Sequence, residues 1–211
     1  MNFSIIQEVL LKPNVAFEKI YQNSQYFLLS VTIFSIICVM SIFTTITSTF
    51  VYSSLDVEYD VPLIHHVVGF GNAVLDNFMI IFGIFYFGKY FDGSRIFKQV
   101  FSVISFCFTP LIIGMSLIVI SNLLFSLYFS PISDDEYPSF SSEFALPSYM
   151  LSNVIIIPFF IWFIVLCVKS LKIMNHFSTF KAFVLTVIGL VVSSIVVFLY
   201  DLGTSIPLHM I

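Results

Sequence analysis

Five long apolar runs, separated by short charged or polar segments, dominate this chain of 211 residues. A helix needs about 20 apolar residues to cross a hydrocarbon layer about 30 Å thick, and each run is close to that length. Only 9% of the residues are charged, against about 25% in an ordinary soluble domain. The sequence therefore predicts an all-α fold, a polytopic transmembrane bundle of five helices. The expected spans are about 27–51, 67–88, 100–125, 150–168 and 182–200.

The basic residues fall into three clusters, which alternate along the chain with acidic segments. The clusters occupy 12–19, 89–98 and 169–181, whereas the loops after the first and third spans carry most of the acidic residues. Because positively charged loops stay on the cytoplasmic side, this alternation predicts a cytoplasmic N-terminus and a C-terminus on the opposite side. The net charge is -4 and no basic stripe is present, so nucleic acid is not expected as a partner.

The first 26 residues are amphiphilic and precede the first apolar run. They predict a cytoplasmic or interfacial amphipathic segment at 1–26, ahead of a transmembrane domain at 27–211. Pro13 fits the first turn of a helix over 14–21, because the missing amide proton is not needed there. The mixed charge of the segment is unlike that of a signal peptide, so we expect no cleavage.

An intramembrane polar stripe occupies the second span. Asn72 and Asp76 are four residues apart and share a helical face, which His65 continues toward the helix end. An Asp at the centre of a transmembrane helix costs about 2.5–3.5 kcal/mol, so the stripe must face protein or water. We expect the carboxyl group of Asp76, protonated or hydrogen-bonded, to pin this span to hydroxyl groups of a neighbouring helix. The candidate partners are Ser102, Ser105 and Thr109.

Hydroxyl groups and small residues mark further contacts between spans. The second half of the first span carries six Ser and Thr residues, which are expected to bond their own backbone or a neighbouring helix. The spacings Gly69 to Ala73 and Gly189 to Ser193 predict close helix contacts. A proline in each of the third and fourth spans predicts a bend.

Adjacent imidazoles make His65 and His66 candidates for a metal site, with carboxylates from the loop before them. Asp76 cannot share that ion, since eleven residues of helix span about 16 Å. The three cysteines lie in three different apolar runs and predict buried, reduced thiols. No catalytic motif is present, so neither a cofactor nor enzymatic activity is expected.

Three stretches resemble the Yip1-domain family of five-span membrane proteins. They are LLKPNVAFEKI at 10–20, FGKYFDGSRIFKQVFSVISFCFTPLIIG at 87–114 and IPFFIWFIVLCVKSLKIMNHFSTFKAFVLTVIG at 157–189. The residues matching the family's pattern are Pro13, Phe17, Gly93, Pro110, Trp162, Ser178, Lys181 and Ala182. Structural roles suffice for them: Pro13 and Ser178 start helices, Phe17 anchors at the interface, Gly93 turns, Pro110 bends and Lys181 meets headgroups.

The resemblance implies a polytopic helical protein that, in eukaryotic relatives, is connected with Golgi and endoplasmic-reticulum vesicle traffic and binds Rab-type GTPases. Those relatives carry a long cytosolic N-terminal region, whereas about 26 residues precede the first span here. This departure argues against GTPase binding. The compact form resembles the prokaryotic branch of the family, which implies a prokaryotic cell membrane.

These patterns favour a non-enzymatic integral membrane protein that acts by protein or lipid contacts. It would serve in membrane organisation or trafficking, or as a small subunit of a membrane complex. Its expected partners are the lipid bilayer and either other membrane subunits or a second copy. Two alternatives stay open, namely a small ion- or proton-coupled transporter that uses Asp76, and an accessory subunit of a membrane metalloenzyme that uses His65 and His66.

Overall fold

The computed structural model of the protein describes residues 4–54, 63–93, 96–128 and 141–208. Across these ranges the chain is helical and contains no strand, which confirms the all-α class. The α-helices in these ranges are α1 (Ser4–Leu11), α2 (Pro13–Gln22), α3 (Tyr26–Ser54), α4 (Leu63–Gly88), α5 (Phe97–Cys107), α6 (Thr109–Tyr128), α7 (Ser141–Asn175) and α8 (Thr179–Leu208). A 3₁₀ turn at Lys89–Phe91 follows α4.

Five helical segments among the described residues are long and apolar enough to cross a membrane, as the sequence predicted. The first, second, fourth and fifth spans lie in α3, α4, α7 and α8, and the third span combines α5 and α6. Their bounds are Tyr26–Ser48, Val68–Phe91, Phe97–Phe125, Val154–Asn175 and Thr179–Leu202.

The third span forms the centre of the bundle. In its most apolar stretch of 18 residues, 56% of the residues are buried inside the protein. In the corresponding stretch of each of the other four spans, 28% are buried. Every residue from 100 to 111 is buried. Large apolar side chains remain exposed on all five spans, as a surface that contacts lipid requires. Examples are Phe43, Phe82, Leu124, Trp162 and Phe198.

A break at Phe108 divides the third span just before Pro110. Proline has no amide proton to donate to the carbonyl of Phe106, four residues earlier. The hydroxyl of Thr109 donates to that carbonyl instead, with an O–O distance of 2.8 Å. The third span is therefore interrupted just before Pro110, where a bend was expected, whereas α7 runs through Pro158 without interruption.

The N-terminal helices pack against one end of the bundle. Ile5, Val9 and Ile20 are buried; α1 contacts α5 and α6, and α2 contacts α5 and α7. A salt bridge of 2.7 Å between Lys19 and Glu8 joins α2 to α1. The expectation that Phe17 anchors at the interface is wrong, because its side chain is only 1% exposed and belongs to the core.

Candidate functional site: the polar seam between the second and fifth spans

The second and fifth spans approach closely at two glycines. A Cβ on Gly83 would lie 3.2 Å from the Cα of Gly189, and a Cβ on Gly189 would lie 2.7 Å from Cγ1 of Ile84. The missing side chains let the two backbones approach, as small residues commonly do between membrane helices. The close contact predicted at Gly189 is confirmed. The one predicted at Gly69 is not found among the described residues, since a Cβ there would meet none of their atoms within 4 Å.

Asp76 of α4 faces Ser193 of α8. The buried hydroxyl of Ser193 donates to the carboxylate of Asp76 and lies 3.0 Å from the backbone carbonyl oxygen of the same residue. Asp76 therefore ties its helix to a hydroxyl-bearing neighbour, as expected. That neighbour is the fifth span, not the third.

The hydroxyls predicted as partners of Asp76 serve other contacts within the bundle. Ser102 lies 3.4 Å from Ser30 of α3, and Thr109 caps the carbonyl freed by Pro110. Ser105 is fully buried, and its hydroxyl has no hydrogen-bond partner among the described residues. The prediction failed because α4 packs more extensively on α8 than on the third span.

A second polar contact joins the same two helices farther from the basic clusters. Nδ2 of Asn72 lies 2.5 Å from Oδ1 of Asp201. The hydroxyl of Tyr200 lies 3.0 Å from the position that a Cβ on Gly71 would take. The polar seam therefore consists of Asn72 and Asp76 on α4, and Ser193 and Asp201 on α8.

The seam can hold the second and fifth spans in one register. Hydrogen bonds between membrane helices contribute about 0.6 kcal/mol on average and up to about 1.7 kcal/mol. Asn72 and Asp76 each engage a different residue of α8, so sliding or rotating either helix breaks both contacts. Oδ1 of Asn72 is buried and has no partner within the described part of the chain.

The histidine predictions concern side chains that the structure does not describe. The backbone of His65 and His66 belongs to α4, but their imidazoles lie outside the described residues. The extension of the stripe to His65 and the metal site at both histidines therefore stay predictions. Among the described residues, no group of three or more His, Cys, Asp or Glu side chains could hold a metal ion.

Hydroxyl groups of the first span bond their own helix and one neighbour, as predicted. Thr44 and Thr45 donate to the carbonyl of Ser41, at 2.8 and 3.0 Å. The amide of Asn122 on α6 donates to Thr47 and Ser48, at 3.3 and 3.2 Å. This contact holds the first span against the third.

Gly93 closes the turn after the second span. Asp92 adopts a left-handed conformation with φ of 61°. The amide of Gly93 donates to the carbonyl of Gly88 at 2.9 Å, and the amide of Asp92 donates to that of Lys89 at 3.4 Å. These bonds form a Schellman motif, which caps the last carbonyls of a helix. A Cβ on Gly93 would lie 2.8 Å from the carbonyl oxygen of Gly88, so the turn requires glycine at this position.

The turn into the fifth span begins at Ser178. Its hydroxyl accepts a hydrogen bond of 3.3 Å from the amide of Lys181, which is the geometry of a helix N-cap. The predicted helix start at Ser178 is confirmed. Ala182 is fully buried, Lys181 is exposed, and Trp162 of α7 is 42% exposed on the outer surface of the bundle.

The described basic clusters meet at one end of the bundle. The ring of Phe177, in the turn between α7 and α8, lies against Gly93, and the Nζ of Lys98 lies 4.7 Å from the ring centre of Phe27, near the start of α3. Between α2 and the end of α7 lies a cleft of about 360 Å³. This basic-end cleft is lined by Asn14, Glu18, Lys169, Lys172, Ile173 and His176.

Several of these contacts were not predicted from the sequence. The polar residues that make them are Ser193, Asp201 and Asn122, which lie in or at the end of apolar helices. A polar residue in such a helix indicates a contact with protein, and this was the sequence feature that could have identified them. The thiols of Cys107 and Cys167, which are far apart in sequence, lie side by side, with Ser170 3.5 Å from Cys107. All three cysteines are buried and free of disulfides, as expected.

Comparison with known families gives one match. The family model of the Yip1 domain matches residues 8–200. The matched region contains α2 to α7 and most of α8, including Asn72, Asp76 and Ser193 of the seam. No curated protein and no solved structure matches the chain.

Proposed function

Because this chain belongs to the Yip1 family and has five apolar spans, we propose that it acts without chemistry of its own, through contacts with lipid and with other membrane proteins. It serves in membrane organisation or trafficking, or as a small subunit of a membrane complex. The observation that carries this proposal is the hydrogen bond from Ser193 to Asp76. Asp76 is the acidic residue near the middle of the second span, and this hydrogen bond gives it a structural role in joining two helices.

The exposed surface of the bundle supports the same proposal. Apolar side chains such as Phe43, Phe198 and Leu124 cover the outer faces of the spans, where lipid or another membrane helix can pack. We place the basic end in the cytoplasm, since lysine-rich loops are retained there. The C-terminus then lies on the opposite side of the membrane.

Purification in mild detergent, followed by mass spectrometry of the intact complex, tests this function. We expect the chain to leave the membrane in a defined assembly, either with a second copy or with another membrane protein at fixed stoichiometry. Chemical crosslinking in native membranes before extraction controls for losses in detergent. A chain that is monomeric in both experiments, and whose stability does not respond to added lipid, would overturn the proposal.

A small ion- or proton-coupled transporter is the second candidate, and one observation favours it. The seam brings a second acid, Asp201, against Asn72, one helical turn from Asp76, so two carboxylates lie at different depths along one helix pair. The flux of protons or other cations into proteoliposomes should then fall in both the Asp76→Asn and Asp201→Asn variants. The Asp92→Asn variant is the matched control, because Asp92 lies in the turn after α4. No flux from the parent protein removes this candidate.

A further inference from the structure

We propose that the basic-end cleft binds the headgroup of an anionic phospholipid, through a phosphodiester that carries hydroxyl groups. Lys169 and Lys172 bind the phosphate, and Glu18 and Asn14 accept hydrogen bonds from the headgroup hydroxyls. The inference deepens the proposed function, because it names the lipid that one part of the surface selects. It rests on lipid contact alone and not on any protein partner.

The charges lining the cleft match such a headgroup. Lys169 and Lys172 are three residues apart and therefore lie on one face of α7, where both ammonium groups can approach a single phosphate. Glu18 faces them from α2. The negative charge of this carboxylate repels an inorganic phosphate ion. The carboxylate can, however, accept hydrogen bonds from the hydroxyl groups of a phosphate ester. Phosphatidylglycerol has this combination of groups.

The depth of the cleft matches the headgroup layer of a bilayer. The fourth span ends at Asn175. At 1.5 Å per residue, Lys172 lies about 5 Å and Lys169 about 9 Å inside that end. Long lysine side chains reach from such positions to the polar layer. The acyl chains of a bound lipid can then follow the exposed apolar surface of α7, which includes Val165 and Ile161.

The shape of the cleft is built by more than one element. Its volume of about 360 Å³ lies at the lower end of the ~300–1,000 Å³ range of small-ligand sites. His176, which also lines the cleft, adopts a left-handed conformation with φ of 53°. Such a conformation is uncommon for a residue with a side chain. It ends α7 and turns the chain toward Ser178, so the imidazole stays beside the two lysines.

Native mass spectrometry of the purified protein with added lipids tests the inference. We expect the parent protein to retain phosphatidylglycerol in preference to phosphatidylcholine. In the variant carrying both Lys169→Gln and Lys172→Gln, the affinity for phosphatidylglycerol should fall about 30-fold, since each interfacial lysine contributes on the order of fivefold to binding an anionic surface. The matched control is Lys89→Gln, which removes a positive charge of another basic cluster but does not line the cleft.

A second variant separates binding in the cleft from general attraction to a charged surface. Asn14 is exposed and lines the cleft, so Asn14→Trp fills the space without changing the charge. We expect it to weaken retention of phosphatidylglycerol by at least about tenfold. A helical far-ultraviolet circular dichroism spectrum and a single peak in size-exclusion chromatography must show that each variant is folded. Equal retention in the folded lysine variant overturns the inference, as does an equal loss in Lys89→Gln.

A competition experiment distinguishes binding of a lipid headgroup from binding of a soluble phosphate ester. Glycerol 3-phosphate, which has the phosphate and hydroxyl groups but no acyl chains, is added as a competitor at the concentration of the lipid. We expect it to leave the bound lipid in place. Full displacement would mean that the cleft takes a soluble phosphate ester and would overturn the lipid assignment. Neither result depends on whether the protein copurifies with a partner, so the proposed function is tested separately.

Discussion

The hydroxyl of Ser193 on the fifth span donates to the carboxylate of Asp76 on the second, across 117 residues of sequence. Asn72 and Asp201 repeat the pairing farther along the same two helices. An intramembrane acid is costly in lipid, so its partner decides whether the helix is stable in place. The two pairs explain how an Asp can lie near the middle of a transmembrane helix whose own sequence contains no Lys or Arg.

Removing either member of the Asp76–Ser193 pair should destabilise the bundle. We expect Ser193→Ala and Asp76→Ala each to lower the free energy of unfolding, and the double variant to show a coupling of about 0.6–1.7 kcal/mol. Unfolding of the detergent-solubilised protein, followed by circular dichroism, measures it. Ser194→Ala is the matched control, because within the described part of the chain the exposed Ser194 bonds its own helix at Leu190 and no other helix. Strictly additive losses would show that the pair does not couple the two helices.

The close approach of the two spans predicts opposite effects for two glycines. In Gly189→Ala, the new Cβ would lie 2.7 Å from Cγ1 of Ile84 and 3.1 Å from the carbonyl oxygen of Ile80. We expect a loss of about 1–3 kcal/mol in unfolding free energy. Gly69 lies on α4, and a Cβ there would meet no atom of the described residues within 4 Å. Gly69→Ala should therefore stabilise the helix by about 0.5–1 kcal/mol.

The same unfolding assay measures both glycine variants. A Gly189→Ala variant as stable as the parent would mean that α4 and α8 are farther apart than the structure places them. A loss in Gly69→Ala would mean that another surface packs on that glycine. The two results are independent, because neither Ile80 nor Ile84, which a Cβ on Gly189 would meet, lies within 4 Å of a Cβ on Gly69.

Features set by local sequence were predictable, and those set by the order of helices around the bundle were not. The five spans and the helix break before Pro110 follow from neighbouring residues, since apolar length and a missing amide proton act within one helix. The partner of Asp76 depends on which helix lies beside α4. Nothing in the periodicity of α4 distinguishes Ser193 from Ser102, so the shared polar face of Asn72 and Asp76 could be predicted, whereas the partner of Asp76 could not.

Amphipathicity was ambiguous at the N-terminus for a related reason. A helix with one apolar face can lie on a membrane or on the end of a bundle, and its pattern is the same in both cases. The sequence pattern predicts Phe17 at the interface, but its side chain is buried against the protein. Leu11 and Val15 are exposed at 69% and 48%, so some apolar surface of α1 and α2 is left to contact the membrane.

The bend in the third span predicts a dependence between Thr109 and Pro110. In Thr109→Val, the carbonyl of Phe106 loses the hydroxyl donor and keeps only the contact with the amide of Phe108. The loss of one hydrogen bond to a buried carbonyl should cost about 1 kcal/mol. In a Pro110→Ala background, the restored amide can donate to that carbonyl, so the same substitution should cost little. Ser116→Ala is the control, because its hydroxyl only adds a second donor to the carbonyl of Ile112. An equal cost in both backgrounds would contradict this account of the bend.

The charge pattern predicts which ends of the spans share a compartment. Ser24 is exposed in the turn between α2 and α3, at the basic end, and Ser133 lies in the acidic loop after the third span. In a background with Cys38, Cys107 and Cys167 replaced by alanine, we expect an impermeant maleimide to label Ser133→Cys in intact cells. It should label Ser24→Cys only after permeabilisation, because lysine-rich ends are held in the cytoplasm. Labelling of both variants from one side would contradict an odd number of spans between these positions.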